Sequence, residues 1–212
     1  MVLDEKYDVI VVGGGHAGCE AAYSAAKMGA NVLMITMNMQ TIGQMSCNPA
    51  MGGVAKGQIV REIDALGGGS ARITDKSMIQ FRMLNRSKGP AMWSPRVQSD
   101  RMLFAQYWRE LLEETPGLNM FQDMVTGLNV SDNTVHGVRT ALGLTFEAQT
   151  VVLTSGTFMN GLIHVGDQNF GGGRAGERAS TGITEELVAM GFEAGRMKTG
   201  TPPRVDGRSL DY

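Results

Sequence analysis

The chain has 212 residues, of which 42% are hydrophobic and 19% are charged. This balance excludes an intrinsically disordered protein, and the length is enough for one large domain or for a domain with an insertion. The formal net charge of −2 excludes a protein that binds polyanions over its whole surface, so any nucleic-acid contact must be local.

The chain opens with an apolar strand, Tyr7 to Val12, and a helix from Ala17 to about Met28, joined by a glycine-rich turn at residues 13–18. A second apolar strand, Asn31 to Thr36, follows the helix. Strand, glycine-rich turn, helix and strand in this order are typical of the βαβ unit that binds a dinucleotide. We therefore predict a parallel sheet with a dinucleotide site beside this turn.

The glycines of the turn have separate predicted roles. Gly13 allows the tight turn, Gly15 lets the backbone approach a pyrophosphate, and Gly18 permits close contact between helix and strand. The unpaired N–H groups at the start of the helix, together with the positive end of its dipole, are then expected to face the diphosphate.

Beyond the second strand the pattern loosens. Residues 37–53 are predicted to form a long loop, followed by a helix from about Val54 to Leu66. Loops of this length in compact domains are usually functional or disordered, and we interpret residues 37–100 as a ligand-facing loop and helix insertion. A further helix, with apolar residues at helical spacing, is predicted from Arg101 to Glu114.

The last predicted elements define the fold class. Leu118 to Phe121 is the next predicted parallel strand, residues 125–147 are predicted to form three short antiparallel strands, and Thr150 to Thr154 returns as a strand. This order resembles the FAD domain of glutathione-reductase-like flavoproteins. The predicted class is therefore α/β, a Rossmann-like FAD-binding domain with a parallel sheet and a β-meander.

One part of the usual dinucleotide fingerprint is missing. An Asp or Glu about twenty residues after the glycines normally holds the ribose hydroxyl, but no carboxylate lies between Glu20 and Glu62. The ribose must therefore be held by other groups. Thr36 and Asn38, at the end of the second strand, are the best-placed hydroxyl and amide, although exposure to solvent explains two polar residues there equally well.

Longer motifs in the sequence indicate one particular protein family. The motifs are MSCNPAMGGVAKGQIVREIDALGG, RMLNRSKGPA, VVLTSGTF, GGGRAGE and GRMKTGTPPR. In this order they resemble the MnmG (GidA) family of FAD-dependent tRNA uridine 5-carboxymethylaminomethyl modification enzymes, and the resemblance covers the chain from Tyr7 onward. The family also lacks the usual ribose acid.

The resemblance implies an enzyme that binds FAD and uses NADH and methylene-tetrahydrofolate as co-substrates to modify carbon five of the wobble uridine in certain tRNAs. It also implies the GTPase MnmE as a partner and a homodimer in the full-length protein. No basic-then-apolar leader precedes the first strand, and no apolar run approaches the roughly eighteen residues of a membrane span. We therefore expect a cytoplasmic protein without membrane contact.

By position, the resemblance implies that the diphosphate lies on the glycine-rich turn and that FAD also contacts Val125 and Ser180. The expected cofactor contacts in the turn are Gly13, Gly14, Gly15, His16, Ala17 and Gly18. The segments Met45 to Asn48 and Lys198 to Thr201 are expected to lie towards the flavin and the substrate.

Cys47 is the candidate catalytic residue. A thiol in a loop shaped by Gly and Pro, with Lys56 nine positions on, could be activated as a nucleophile that adds to a uracil ring or assists one-carbon transfer. The alternative is a small packed cysteine.

Cys19, inside the first helix, is expected to be structural. Two cysteines are too few for a disulfide scaffold and have no metal-ligand spacing, and without a redox pair a flavin disulfide reductase is disfavoured.

A local basic stretch is the candidate for nucleic-acid contact. Residues 72–101 contain seven Arg or Lys against two Asp, a local excess of +5, with Phe81 and Trp93 among them. These residues could meet tRNA phosphates, the flavin pyrophosphate or folate carboxylates. A solvated helix face explains the stretch equally well.

The family motifs would continue beyond residue 212, so we interpret residues 1–212 as the N-terminal part of an FAD-binding domain and as a fragment of a longer protein. In flavoproteins of this kind a later segment completes the FAD site, so the chain alone is expected to hold FAD weakly or not at all and to be inactive. Two other functions stay open: an FAD-dependent oxidoreductase of a small molecule, against which the CNPA and KGPA segments argue, and a non-catalytic nucleotide-binding module.

Overall fold

The computed structural model describes residues 2–198, 200 and 205–211, without the side chains of residues 2–4. The strands, in chain order, are β1 (Val2–Val12), β2 (Val32–Thr36), β3 (Ala50–Gly52), β4 (Met78–Leu84), β5 (Ser94–Ser99), β6 (Leu118–Gln122), β7 (Val125–Ser131), β8 (Thr134–Thr140), β9 (Thr145–Leu153), β10 (Leu162–Val165) and β11 (Gln168–Gly171). The α-helices are α1 (His16–Lys27), α2 (Lys56–Ala65), α3 (Ser70–Lys76), α4 (Arg101–Glu113) and α5 (Ile183–Ala189). None of these described helices is both long enough and apolar enough to span a membrane.

The largest sheet has six strands in the order β6-β2-β1-β9-β8-β7. The neighbours from β6 to β9 run parallel, whereas β8 pairs antiparallel with both β9 and β7. The predicted class, a parallel sheet with a β-meander, is confirmed. The carboxyl ends of β1, β2, β6 and β9 meet at one edge of this sheet, which is where open α/β sheets bind their ligands.

Both faces of the sheet are covered, and successive residues of β1 and β2 alternate between them. On one face, Val11 and Met34 belong to a buried cluster with residues of α1 and α4, including Trp108. On the other face, Ile10 and Leu33 pack with residues of the meander. All five residues of β2 are buried, as expected of a parallel strand covered on both sides.

Two carboxylates fix where helices begin. Asp100 is the N-cap of α4 and accepts hydrogen bonds from the N–H groups two and three positions later. Glu20, on α1, accepts hydrogen bonds from the backbone N–H groups of Gly69 (2.9 Å) and Ser70 (2.6 Å) at the start of α3. These bonds satisfy N–H groups that a helix leaves unpaired at its start, and the second set ties α3 to α1.

Residues 37–53 contain more regular structure than the predicted long loop. A short 3₁₀ helix spans Met39–Thr41, and β3 joins a three-stranded antiparallel sheet in the order β3-β5-β4. Strand β3 has three residues and exists through its pairing with β5, much later in the chain. A local sequence pattern could not reveal it, because the partner supplies the hydrogen bonds.

The third strand of the meander and the returning strand are one element. The sequence predicted two strands, but β9 is continuous from Thr145 to Leu153. It pairs parallel with β1 along its length, from Val2 opposite Thr145 to Val12 opposite Leu153, and its first residues, Thr145 to Glu147, also pair antiparallel with β8. No Gly or Pro interrupts residues 145–153, so the backbone continues as one strand past the end of its pairing with β8.

We predict that Leu112→Ala lowers the free energy of unfolding by roughly 2–5 kcal/mol, because Leu112 is fully buried in α4 and truncation leaves a cavity. Leu103→Ala is the matched control on the same helix, since that side chain is 38% exposed, and it should cost less than about 1 kcal/mol. Denaturant unfolding followed by tryptophan fluorescence measures both. Equal losses in the two variants would contradict the described packing of α4.

Candidate functional site

A cavity of about 850 Å³ opens at the carboxyl edge of the main sheet. Its walls are the turn after β1, the ends of β2, β6 and β9, the loop after β2, and residues of the segment 174–180. Cofactor and small-molecule sites commonly have a volume of this order, and this edge is where open α/β sheets bind ligands. The cavity is therefore the candidate functional site.

The glycine-rich turn forms one wall of the cavity, with residues 13–17 all lining it. Gly13 has a φ of +112°, which L side chains rarely adopt. Helix α1 begins at His16, with Gly15 as its N-cap, and no side chain caps it. The first N–H groups of α1 are thus left for an external acceptor, at the positive end of the helix dipole. An anion in the cavity would meet these donors.

The three glycines of the predicted fingerprint differ in what surrounds them. A Cβ on Gly13 would lie 2.8 Å from the Thr154 carbonyl oxygen, and one on Gly18 would overlap the Gly13 carbonyl. A Cβ on Gly15 would meet no heavy atom within 4 Å. Gly18 does not line the cavity and instead lets α1 pack against the turn. Of the three, only Gly15 leaves space for a ligand where a side chain would otherwise stand.

His16 connects the turn to the loop that follows β2. Its Nε2 lies 3.2 Å from the carbonyl oxygen of Gly43, and its ring packs edge-on against Phe104 with a centroid separation of 5.3 Å. Burial, followed by the nearby charge of Lys56, lowers the pKa of His16. The imidazole is therefore neutral near pH 7, and Nε2–H donates to the Gly43 carbonyl because a carbonyl only accepts.

Cys47 lines the cavity with its side chain exposed, so the packed-cysteine alternative is wrong. Its backbone carbonyl accepts a hydrogen bond from Arg101 Nη2 at 2.6 Å, which holds the loop. Lys56 lines the same cavity, and burial lowers the pKa of its ammonium. The structure thus brings to one cavity the thiol and the amine that the sequence proposed as a pair.

Cys19 has the structural role that the sequence predicted. Its side chain is fully buried, and its thiol donates to the Gly14 carbonyl at 3.5 Å. Burial raises the pKa of Cys19 to about 12, so the thiol stays protonated and unreactive near neutral pH.

Val125 and Ser180, which are far apart in the chain, meet at the cavity. The hydroxyl of Ser180 donates to the backbone carbonyl of Val125 at 3.2 Å. Both residues are buried and both line the cavity. The two positions predicted to contact FAD outside the glycine-rich turn therefore lie together on its wall.

Arg174 was not singled out from the sequence, although it lies in the GGGRAGE motif. Its guanidinium pairs with Glu177 (3.2 Å), donates to the Gln44 side chain and lies 5.6 Å from the centre of the Phe158 ring. These contacts join the segment 174–180 to the loop that carries Cys47. An isolated arginine in a glycine-rich motif gave no signal of this bridge, which exists only through tertiary contact.

Polar residues at the ends of β2 and β6 also line the cavity. Thr36 and Asn38 line the cavity as the sequence suggested, and the Asn38 side chain also caps the 3₁₀ helix by accepting from the Gln40 N–H at 2.8 Å. Residues 122–124, at the end of β6, line the cavity too. They were not singled out from the sequence, although the carboxyl end of a parallel strand was a usable signal.

Other predicted groups lie away from the cavity. None of the seven basic residues between 72 and 101 lines it. They are spread over α3, β4, β5, α4 and a 3₁₀ turn at Arg86–Lys88 rather than along one helix face, because this stretch contains two strands as well as helical segments. Lys198 is exposed and does not line the cavity, and Thr199 and Thr201 lie outside the described residues. No group of His, Cys, Asp and Glu among the described residues is suited to hold a metal ion.

Comparison with known sequences identifies a family model, described as glucose inhibited division protein A, that matches residues 8–212. A tRNA uridine 5-carboxymethylaminomethyl modification enzyme MnmG from Christiangramia forsetii is 69% identical over 211 residues, which are 100% of this chain and 34% of that protein. The enzyme of the same name from Cytophaga hutchinsonii is 70% identical over 207 residues, covering 98% of this chain and 33% of that protein. The chain spans about a third of the length of these curated relatives.

Solved structures agree with these relatives. Aquifex aeolicus GidA, in its form II crystal, superposes with a TM-score of 0.92 at 49% identity, covering 97% of this chain and 34% of that one. A GidA-related protein from Thermus thermophilus gives a TM-score of 0.63 at 24% identity over 88% of this chain and 69% of that one. The second likeness shows the fold alone.

We predict that iodoacetamide at about pH 8 alkylates Cys47 and leaves Cys19 unmodified in the folded chain, because the thiolate is the reactive form and burial raises the pKa of Cys19 to about 12. Mass spectrometry should find one label on the folded chain, two in guanidinium chloride and none on folded Cys47→Ala. Labelling of Cys19 in the folded chain would mean that α1 does not pack as described.

Proposed function

The chain belongs to the glucose inhibited division protein A (GidA) family, and on that basis we propose that it is the FAD-binding part of an enzyme that modifies the wobble uridine of tRNA. The reaction adds a carboxymethylaminomethyl group at carbon five of the uridine. The names of the relatives support this proposal, since they describe tRNA uridine 5-carboxymethylaminomethyl modification enzymes. The activity, substrates and partners of the whole protein are proposals that rest on relatives about three times as long as this chain.

The proposal extends to co-substrates and partners. Methylene-tetrahydrofolate provides the one-carbon unit, NADH reduces the bound FAD, and a GTPase, MnmE, acts with the enzyme. The full-length protein is proposed to be a homodimer in the cytoplasm. The resemblance of the sequence motifs supports each of these assignments.

One observation carries the FAD assignment: the uncapped N-terminus of α1 lies at a cavity that the cofactor's diphosphate could enter. The residues present fit FAD, because the first N–H groups of α1 lack a capping side chain, Gly15 has open space beside it, and the cavity has a volume of about 850 Å³. Helix N-termini of this kind bind phosphate groups. When bound, FAD supplies the redox chemistry that no side chain can.

The residues of the chain then have distinct proposed tasks. The turn from Gly13 to Ala17 binds the diphosphate through backbone N–H groups other than that of Gly13, which donates to the Ile35 carbonyl at 2.8 Å, and Gly18 keeps α1 close to the turn. Val125 and Ser180 contact the cofactor on the neighbouring wall. His16 holds this turn against the Cys47 loop through the Gly43 carbonyl.

Cys47 is the proposed nucleophile of the site. Its thiol lies in the cavity and is exposed. After loss of the thiol proton to a base, the sulfur would bond to carbon six of the uracil ring, and the electron pair of the C5=C6 double bond would move to carbon five, which becomes electron-rich. Lys56, in the same cavity, has an ammonium whose pKa burial lowers. An amine whose pKa is lowered gives up its proton more readily than an exposed lysine, so Lys56 is the proposed partner for proton exchange with a reacting group.

We predict that the chain holds FAD weakly and that Gly15→Ala raises the Kd at least about fivefold, because a methyl group would fill the space that the diphosphate approaches. A steric cost of about 1–3 kcal/mol has this effect. Flavin fluorescence titrated to millimolar concentration measures the Kd. Gly171→Ala is the matched control, since a Cβ there also meets no heavy atom within 4 Å and Gly171 does not line the cavity. Equal affinity in Gly15→Ala and the unsubstituted chain would refute the assignment of the diphosphate to this turn.

A second prediction concerns the reaction itself. In a full-length protein that contains this chain, Cys47→Ser should reduce wobble-uridine modification by roughly 10³-fold or more, because a hydroxyl replaces the nucleophilic thiol. The assay supplies methylene-tetrahydrofolate, NADH and the GTPase partner, and nucleoside analysis measures the product. Cys19→Ala should retain activity. Wild-type rates in Cys47→Ser would remove Cys47 from the mechanism, and no tRNA product from the unsubstituted enzyme would favour a small-molecule oxidoreductase.

A further inference from the structure

We propose that the carboxylate of Asp123 binds the ribose hydroxyls of the adenosine half of the dinucleotide, from the strand beside the one that usually carries this acid. The inference rests on the FAD site proposed above and assigns one of its subsites to a residue that lies far from the βαβ unit in sequence.

The need for such a group arises within the βαβ unit. The ribose is usually held by an Asp or Glu about twenty residues after the glycines, at the end of β2. No carboxylate occurs in residues 21–61 of this chain. The residues at that end, Thr36 and Asn38, offer a hydroxyl and an amide, and the Asn38 Oδ1 already accepts a backbone hydrogen bond.

Asp123 reaches this place from β6. The register pairs Thr36 of β2 with Gln122 of β6, and the Asp123 N–H donates to the Thr36 carbonyl at 3.0 Å. Because the two strands are parallel, their carboxyl ends lie side by side at the edge of the sheet. Asp123 therefore occupies the neighbouring strand at the level where the usual acid would stand, and it lines the cavity.

The carboxylate is held in place by two backbone N–H groups. Its Oδ1 accepts from the Met124 N–H at 2.7 Å and its Oδ2 from the Leu142 N–H at 3.3 Å. A carboxylate has about four acceptor positions, so about two stay available. Asp123 is 8% exposed, which means that little rotamer freedom is lost when it binds a ligand. Two adjacent ribose hydroxyls are donors that match these acceptors.

The other charged side chains of the cavity support the assignment of Asp123 to the ribose. Among the described residues, Asp123 and Glu177 are the two carboxylates that line it, and Glu177 is paired with Arg174. The cationic side chains Lys56, Arg174 and Arg178 also line the cavity. Asp123 has no ion-pair partner among the described residues. An unpaired carboxylate beside an anion-binding turn is unfavourable for a diphosphate alone, and hydrogen bonds to ribose would offset that cost.

The alternative is that Asp123 only shapes the β6–β7 connection through its two backbone hydrogen bonds. The two roles predict opposite signs for binding of a nucleotide. Replacing a carboxylate that only shapes the backbone removes a repulsive charge, so the affinity for a diphosphate should stay equal or rise. Replacing a ribose ligand lowers the affinity, and does so only for nucleotides that carry the hydroxyls.

Calorimetric titration with ADP and 2′,3′-dideoxy-ADP, to millimolar concentration, tests the proposal on the 212-residue chain. We expect Asp123→Asn to weaken ADP binding at least about tenfold, as for a lost hydrogen bond to a charged group, with no loss for the dideoxy nucleotide. Asp100→Asn is the matched control, because Asp100 also accepts two backbone N–H groups but does not line the cavity. Asp100→Asn should change neither the Kd for ADP nor the Kd for 2′,3′-dideoxy-ADP.

The unsubstituted chain gives a test that does not depend on the folding of any variant. It should bind ADP at least about tenfold more tightly than 2′,3′-dideoxy-ADP. Equal affinity for the two nucleotides, or an equal loss for both in Asp123→Asn, would overturn the assignment of Asp123 while leaving the FAD site intact. A full-length protein containing this chain that binds neither FAD nor ADP would overturn the proposed function and this inference together.

Discussion

The close approach of α1 to the turn after β1 is the constraint on which the site depends. A Cβ on Gly18 would overlap the Gly13 carbonyl, and one on Gly13 would press against Thr154 at the end of β9. Because both positions are glycine, the helix can begin immediately beside the sheet edge, with its first N–H groups at the cavity wall. Any side chain at either place would push the helix away, and the cavity would lose its main group of donors for an anion.

The remaining walls are irregular segments joined to each other by a few hydrogen bonds. His16 bonds to the Gly43 carbonyl, Arg101 to the Cys47 carbonyl, and Ser180 to the Val125 carbonyl. Each bond links parts of the chain that are more than twenty residues apart. The bonds to Gly43 and Cys47 satisfy backbone carbonyls that lie outside helices and strands, and the bond from Ser180 attaches its loop to the first residue of β7. Each bond fixes a loop whose conformation its own sequence leaves undetermined. The position of the Cys47 thiol in the cavity follows from this network.

The charges of the cavity are unevenly distributed, and this bears on the proposed chemistry. Lys56, with a pKa that burial lowers, shares the cavity with Cys47, while the carboxylate of Asp123 stands at the ends of β2 and β6. The glycine-rich turn contacts both regions, since Gly14 lies against Thr36 and its carbonyl accepts from the Gly43 N–H at 2.8 Å. A dinucleotide whose diphosphate sits on the turn would then have one half near the carboxylate and the other near the thiol. The proposed nucleophile and the proposed cofactor would share one space.

The βαβ unit, the fold class and the family could be predicted from the amino-acid sequence, because they depend on local signals: apolar runs, glycine positions and contiguous motifs. The same motifs gave residues 13–18 and Cys47 as candidates, the family resemblance added Val125 and Ser180, and all of these but Gly18 line one cavity. The continuity of β9, the existence of β3, and the presence of Arg174 and Asp123 at the same cavity became visible in the folded chain alone. Strand pairing and long side-chain bridges join residues distant in the chain, and a partner supplied from elsewhere leaves no mark in the local pattern.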